Sequence, residues 1–136
     1  MDVVALIGRL IFVAMFLRSG VNHFKMREAM VAHTRSAGGP YPELLVPASG
    51  AMIFVGGALI ALGLWPDLGA LLLAAFLLPV GYYMHAFWKF EDPQMRMLQE
   101  THFWKNVSLA GASILLFALF ASCGDDIGLM AGGPLF

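Results

Sequence analysis

Residues 44–64 read LLVPASGAMIFVGGALIALGL, with no ionisable side chain. After the break Trp65-Pro66-Asp67, residues 68–88 read LGALLLAAFLLPVGYYMHAFW, in which His85 alone titrates near neutral pH. Each run has about the 20 residues needed to cross a roughly 30 Å hydrocarbon core as a helix. A connection this short, with an interfacial Trp and a helix-stopping Pro, makes the two helices antiparallel neighbours.

Working outward, similar apolar runs occupy about 3–21 and 103–123. The first contains Arg9 and Arg18 and the last contains Lys105, of which Arg18 and Lys105 lie near enough to a helix end to snorkel. The expected fold is therefore an all-α integral membrane protein, a four-transmembrane-helix bundle of one domain covering residues 1–136. Composition agrees: 60% of the 136 residues are hydrophobic and 12% charged, against about 25% charged in soluble domains, too few to coat a water-exposed surface. Mean hydropathy is +0.77. The N-terminus lacks the basic segment and small-residue cleavage site of a secretory leader, so the first helix is read as an uncleaved span.

The connections carry the polar residues. Residues 22–43 contain Gly38-Gly39-Pro40-Tyr41-Pro42, which interrupts any continuous helix, while Asn22 to Ser36 suits a short surface helix. In residues 89–102, Asp92-Pro93 has the form of a helix start. Glu43 suits the N-terminal end of the second span, and Pro79 is expected to kink the third. The Gly-rich stretch after Cys123 reads as a short flexible tail. Small residues four apart, Gly57/Ala61, Ala70/Ala74 and Ser108/Ala112, allow close helix packing.

Seven of the eight Lys/Arg residues lie in or beside the first and third connections, whereas Asp2, Asp67, Asp125 and Asp126 lie at the termini and the central turn. The positive-inside rule places the connections in the cytoplasm and both termini outside. A net charge of −1 with scattered basic residues argues against nucleic acid as a partner. A single cysteine allows neither an internal disulfide nor a Cys-based metal cage, and no metal site is expected. No phosphate loop, nucleophile elbow or zinc-helix motif is present.

This topology brings His23, His33, His85 and His102 to one membrane face. On the third helix Tyr82, His85 and Lys89 share a face, as do His102, Lys105 and Asn106 on the fourth. Imidazoles and a lysine at the mouth of the bundle could donate to the carbonyls of a quinone, with Phe87, Trp88, Phe103 and Trp104 as an apolar wall. The competing reading is interfacial anchoring, which His, Trp, Tyr and Lys perform at any helix end. Haem ligation by His85 and His102 is disfavoured because neither lies deep in a span. Arg9, about six residues or roughly 9 Å inside the first helix, needs a partner: an anion or carbonyl, or a structural pair with Asp67, Asp125 or Asp126.

Gly8-Arg9-Leu10 with Ser19-Gly20, the run Gly56-Gly57 to Gly63-Leu64, His85-Ala86-Phe87-Trp88 followed by Asp92-Pro93, and Phe103-Trp104-Lys105-Asn106 together resemble the DoxX family of small bacterial membrane proteins. The resemblance implies a four-helix membrane bundle in the bacterial inner membrane. It also implies a link to membrane redox assemblies, since one relative is a subunit of a thiosulfate:quinone oxidoreductase and some actinobacterial members join an oxidoreductase complex. It singles out Arg9, His85, Trp88, Lys105 and Asn106; with His102 these are the candidate ligand-binding residues. Many family members have a Glu in the second helix near the Gly-Gly pair, where this chain has Met52 and Ile53. The resulting expectation is a membrane subunit of a redox assembly, accompanied by other membrane or membrane-associated subunits. A quinone is its candidate cofactor, and any enzymatic role would depend on a cofactor or partner chain. The alternatives are a structural accessory or anchoring subunit without ligand and a small-molecule carrier acting as an oligomer.

Overall fold

A computed structural model describes residues 1–136. Its five helices are α1 (Asp2–Lys25), α2 (Arg27–Ser36), α3 (Pro42–Leu62), α4 (Pro66–Met84) and α5 (Pro93–Cys123), with single 3-10 turns at Phe87–Lys89 and Gly124–Asp126. The helices α1, α3, α4 and α5 are each long and apolar enough to cross a membrane. The protein is thus an all-helical, multi-pass membrane bundle in contact with lipid.

Each spanning helix buries one stripe whose members recur at alternating steps of four and three. In α1 the stripe is Arg9, Val13, Phe16, Gly20 and His23; in α3 it is Val46, Gly50, Ile53, Gly57 and Ile60. Pro66, Ala70, Leu73 and Leu77 do the same in α4, and in α5 Asn106, Ala110 and Ser113 do so, with Phe120 two turns further on. A spacing near 3.5 keeps partner helices in register at a shallow crossing angle. The helices pack α1 on α3, α3 on α4 and α4 on α5. One core cluster, including Phe16, Ile53, Leu73 and Phe120, draws on all four.

The closest approaches use glycine pairs other than those expected. A Cβ on Gly20 would stand 2.9 Å from the carbonyl oxygen of Gly50, and one on Gly56 would stand 2.9 Å from that of Gly69. These pairs join α1 to α3 and α3 to α4. Gly57, Ala70 and Ala74 are buried as expected, but Ser108 faces outward.

Element boundaries follow identifiable caps. At the end of α3, Gly63 takes φ 65° and its amide donates to Ile60 while that of Leu64 donates to Leu59, a Schellman ending. Trp65 then precedes Pro66 at the first position of α4, so Asp67 falls inside that helix instead of in the turn. The helix α4 is continuous through Pro79 and stops at Met84, short of the expected residue 88. Phe87 and Trp88 leave the helical path to pack against Phe103, with ring centroids 5.5 and 5.7 Å away. The Asp92 carboxylate accepts from the Met95 amide at 2.8 Å and Pro93 follows, the helix start expected there. That start belongs to the fourth span itself, which begins at residue 93 and not at 103. At 31 residues α5 is roughly 46 Å long, so its first turns stand clear of a 30 Å hydrocarbon core.

The C-terminal stretch corrects the expectation of a flexible tail. It folds back as an extended strap over the α3–α4 turn, where Ala131 and Gly132 donate to the carbonyls of Leu62 and Gly63, and Trp65 donates to Gly133. The Asp67 carboxylate, fully buried, accepts from the amides of Leu135 at 2.9 Å and Phe136 at 2.8 Å. The strap also brings Ile127 and Met130 against the core. Backbone donors that would otherwise face lipid or core thereby gain partners.

Candidate ligand site at the polar end of the bundle

The end of the bundle opposite the strap collects the histidines. His85 follows the last turn of α4, and its Nδ1–H donates to Oε1 of Gln99 on α5 at 2.9 Å. Its ring lies 5.2 Å from that of His102 at an angle of 35°. Lys105, one turn further along α5, directs Nζ to His102 Nδ1 at 3.4 Å. Because Nδ1 of His85 carries the proton in this arrangement, its Nε2 is left as an acceptor.

An aromatic wall adjoins these groups. Trp88 packs against Tyr82, Phe87 and Phe103, and Phe103 against Trp104. Asn106, 6% exposed, lies on the inner face of α5 against Gly81 of α4, one helical turn deeper than His102. A side chain at position 81 would stand 3.5 Å from the Asn106 Cβ.

Beside the histidine pair, the C-terminal end of α2 and the segment between α4 and α5 enclose a groove of about 580 Å³. Tyr83, Met84, Phe90 and Met95 give it apolar walls, His33 gives it a polar ring, Lys89 gives it a positive group, and Gln99 links it to His85.

The expected site residues therefore divide. His85, His102 and Lys105 are brought together, with Trp88 and Asn106 alongside. Arg9 is removed from them, at the strap end, where Nη2 donates to the Leu129 carbonyl at 2.6 Å and Nη1 to the Met130 sulfur at 2.9 Å. The expected structural pair with Asp67, Asp125 or Asp126 is not formed, and the contacts are instead a backbone carbonyl and a thioether of the strap. His23 is 6% exposed and donates from Nδ1 to the Ser19 carbonyl at 2.8 Å, which ties it to the α1 core. The surface contact of Glu43 is an ion pair with Arg35 on α2.

The groove and Gln99 were not among the sequence candidates. The signal for Gln99 lay in Asp92-Pro93: once that helix start is joined to the fourth span, Gln99 falls one turn before His102 and on the same side. The role of His33 depends on the angle at which α2 folds back, which no periodicity encodes.

A family model described as DoxX matches residues 4–86, over half of the chain. Neither a curated protein nor a solved structure matches it.

Proposed function

The chain belongs to the DoxX family of membrane proteins, and from that premise we propose that it is a membrane subunit of a bacterial inner-membrane redox assembly that binds a quinone at its polar end. The observation that carries the reading is the side-by-side placement of His85 and His102, 5.2 Å apart, next to the aromatic wall of Phe87, Trp88 and Phe103. A quinone offers two carbonyl acceptors on a flat ring and an apolar tail. The first would be met by His102, Lys105 and the Asn106 amide, the second by Trp88, Phe87 and Phe103.

Quinone reduction consumes electrons and protons in equal number. In this reading the electrons come from a redox-active partner subunit. The chain's own contribution is to orient the ring and to hold protons on imidazole. With the basic connections on the cytoplasmic side, that proton exchange faces the cytoplasm and both termini lie outside.

The test is to purify the full chain in mild detergent, extract it, and identify co-purifying quinone and partner chains by mass spectrometry, beside a His85→Ala/His102→Ala variant. Quinone in the parent and its loss from the folded variant support the reading. A parent that neither retains quinone nor takes it up from solution overturns it.

A further inference from the structure

The strap end holds a charge that the protein does not neutralise. Arg9 is 4% exposed, yet its guanidinium contacts only a carbonyl and a thioether, and its Nε has no partner. No carboxylate stands within ion-pairing distance, since the chain's ion pair is Arg35–Glu43. A thioether is a weak acceptor, and a buried cation lacking an anion is strongly disfavoured. On the edge formed by Nε and Nη2, the Leu129 carbonyl takes the Nη2 donor alone and leaves Nε unpaired, on an edge whose geometry matches two oxygens of one oxyanion.

The group meeting that edge is itself held in a disfavoured state. Leu129, whose carbonyl Arg9 binds, has φ 58°, a left-handed conformation that leucine rarely adopts and that persists only when surrounding contacts impose it. Gly63, at φ 65°, leaves room for the guanidinium, because a Cβ there would overlap Arg9 Nη1.

We propose that Arg9 is the floor of a phosphate-binding site at this end of the bundle, and that the Leu129 carbonyl on the strap competes with phosphate for it. Two phosphate oxygens accept from Nε and Nη2 together, the buried charge is neutralised, and Leu129 is released from its left-handed conformation. The phosphate is either that of a lipid headgroup, which a residue about two turns into a span can meet by snorkelling, or free in solution. This site is independent of the quinone reading, which concerns the opposite end.

The test follows amide exchange of Ala131, Gly132, Leu135 and Phe136 in the full chain in a maltoside micelle, which contains no phosphate. Inorganic phosphate and phosphatidylglycerol are added separately. Release of the strap accelerates exchange about tenfold with one or both additions. A response to the lipid alone assigns a headgroup, and a response to inorganic phosphate assigns a free anion. Arg9→Gln abolishes the response and Arg9→Lys, which keeps charge without the fork, weakens it. Asp67→Asn raises basal exchange but retains the increment, which separates loss of the site from a loosened strap. Exchange that is unchanged or slowed by both additions, or an Arg9→Gln variant that responds like the parent, overturns the proposal.

Discussion

His85 and His102 lie with ring centroids 5.2 Å apart, although one follows the last turn of α4 and the other sits within α5. Two imidazoles that close, with Lys105 on the second, can share a ligand oxygen or pass a proton between them. His102→Phe keeps a ring against His85 and removes only the polar nitrogens. Its expected effect is about a tenfold loss of quinone-analogue affinity, close to one hydrogen bond, with a melting temperature within about 2 °C of the parent. A titration of analogue binding beside a thermal melt checks this, and unchanged affinity would remove His102 from the site.

The glycine contacts predict a contrast between two substitutions of the same kind. Gly56→Ala puts a methyl 2.9 Å from the Gly69 carbonyl oxygen, a backbone atom that moves only if α3 and α4 separate. Overpacking of that sort destabilises by about 1–3 kcal/mol. Gly111→Ala meets nothing within 4 Å and should be neutral or stabilising by up to about 1 kcal/mol through helix propensity. Unfolding in detergent measures both, and equal stabilities would mean that the α3–α4 contact is looser than described.

These contacts also show where the sequence was informative. Four apolar runs, the tight α3–α4 turn and the Asp92-Pro93 start reflect local chemistry and were readable residue by residue. The end of α4 was not, because His85-Ala86-Phe87-Trp88 is as compatible with a helix as the residues before it and departs only to pack on Phe103. The strap was misread for a related reason. A Gly-rich stretch has no pattern of its own, and its order comes from Arg9 and Asp67, distant in sequence. Of the site, the clustering of His85, His102 and Lys105 followed from topology alone. Arg9 was drawn into the same candidate set by family likeness, and the fold places it at the other end.

The Asp67 carboxylate supports the last two residues through charged hydrogen bonds from Leu135 and Phe136. Asp67→Asn leaves one weaker acceptor oxygen in place of the carboxylate, a loss of about 1–3 kcal/mol at a buried position. The expected outcome is a bundle that still folds but whose C-terminus frays. Carboxypeptidase should trim the variant at least about tenfold faster than the parent. Equal trimming rates would show that the strap is held by its backbone contacts to Leu62, Gly63 and Trp65 without help from Asp67.

Four crossings put both ends of the chain at one face and the α1–α3 connection at the other. The packing of Asp2 beside Gly128 in the strap agrees with this, because the two ends of the chain meet there. Cys123 is exposed at that end, and Ser36 is exposed at the close of α2 on the opposite one. With both termini outside, as proposed from the distribution of basic residues, an impermeant maleimide added to sealed right-side-out vesicles should modify Cys123 in the parent. It should leave a Cys123→Ser/Ser36→Cys variant unmodified until the membrane is permeabilised. The reverse pattern would invert the orientation and turn the histidine pair outward, leaving the bundle intact. Labelling of both positions from the same side would require an even number of crossings between them, in conflict with the three spans α3, α4 and α5.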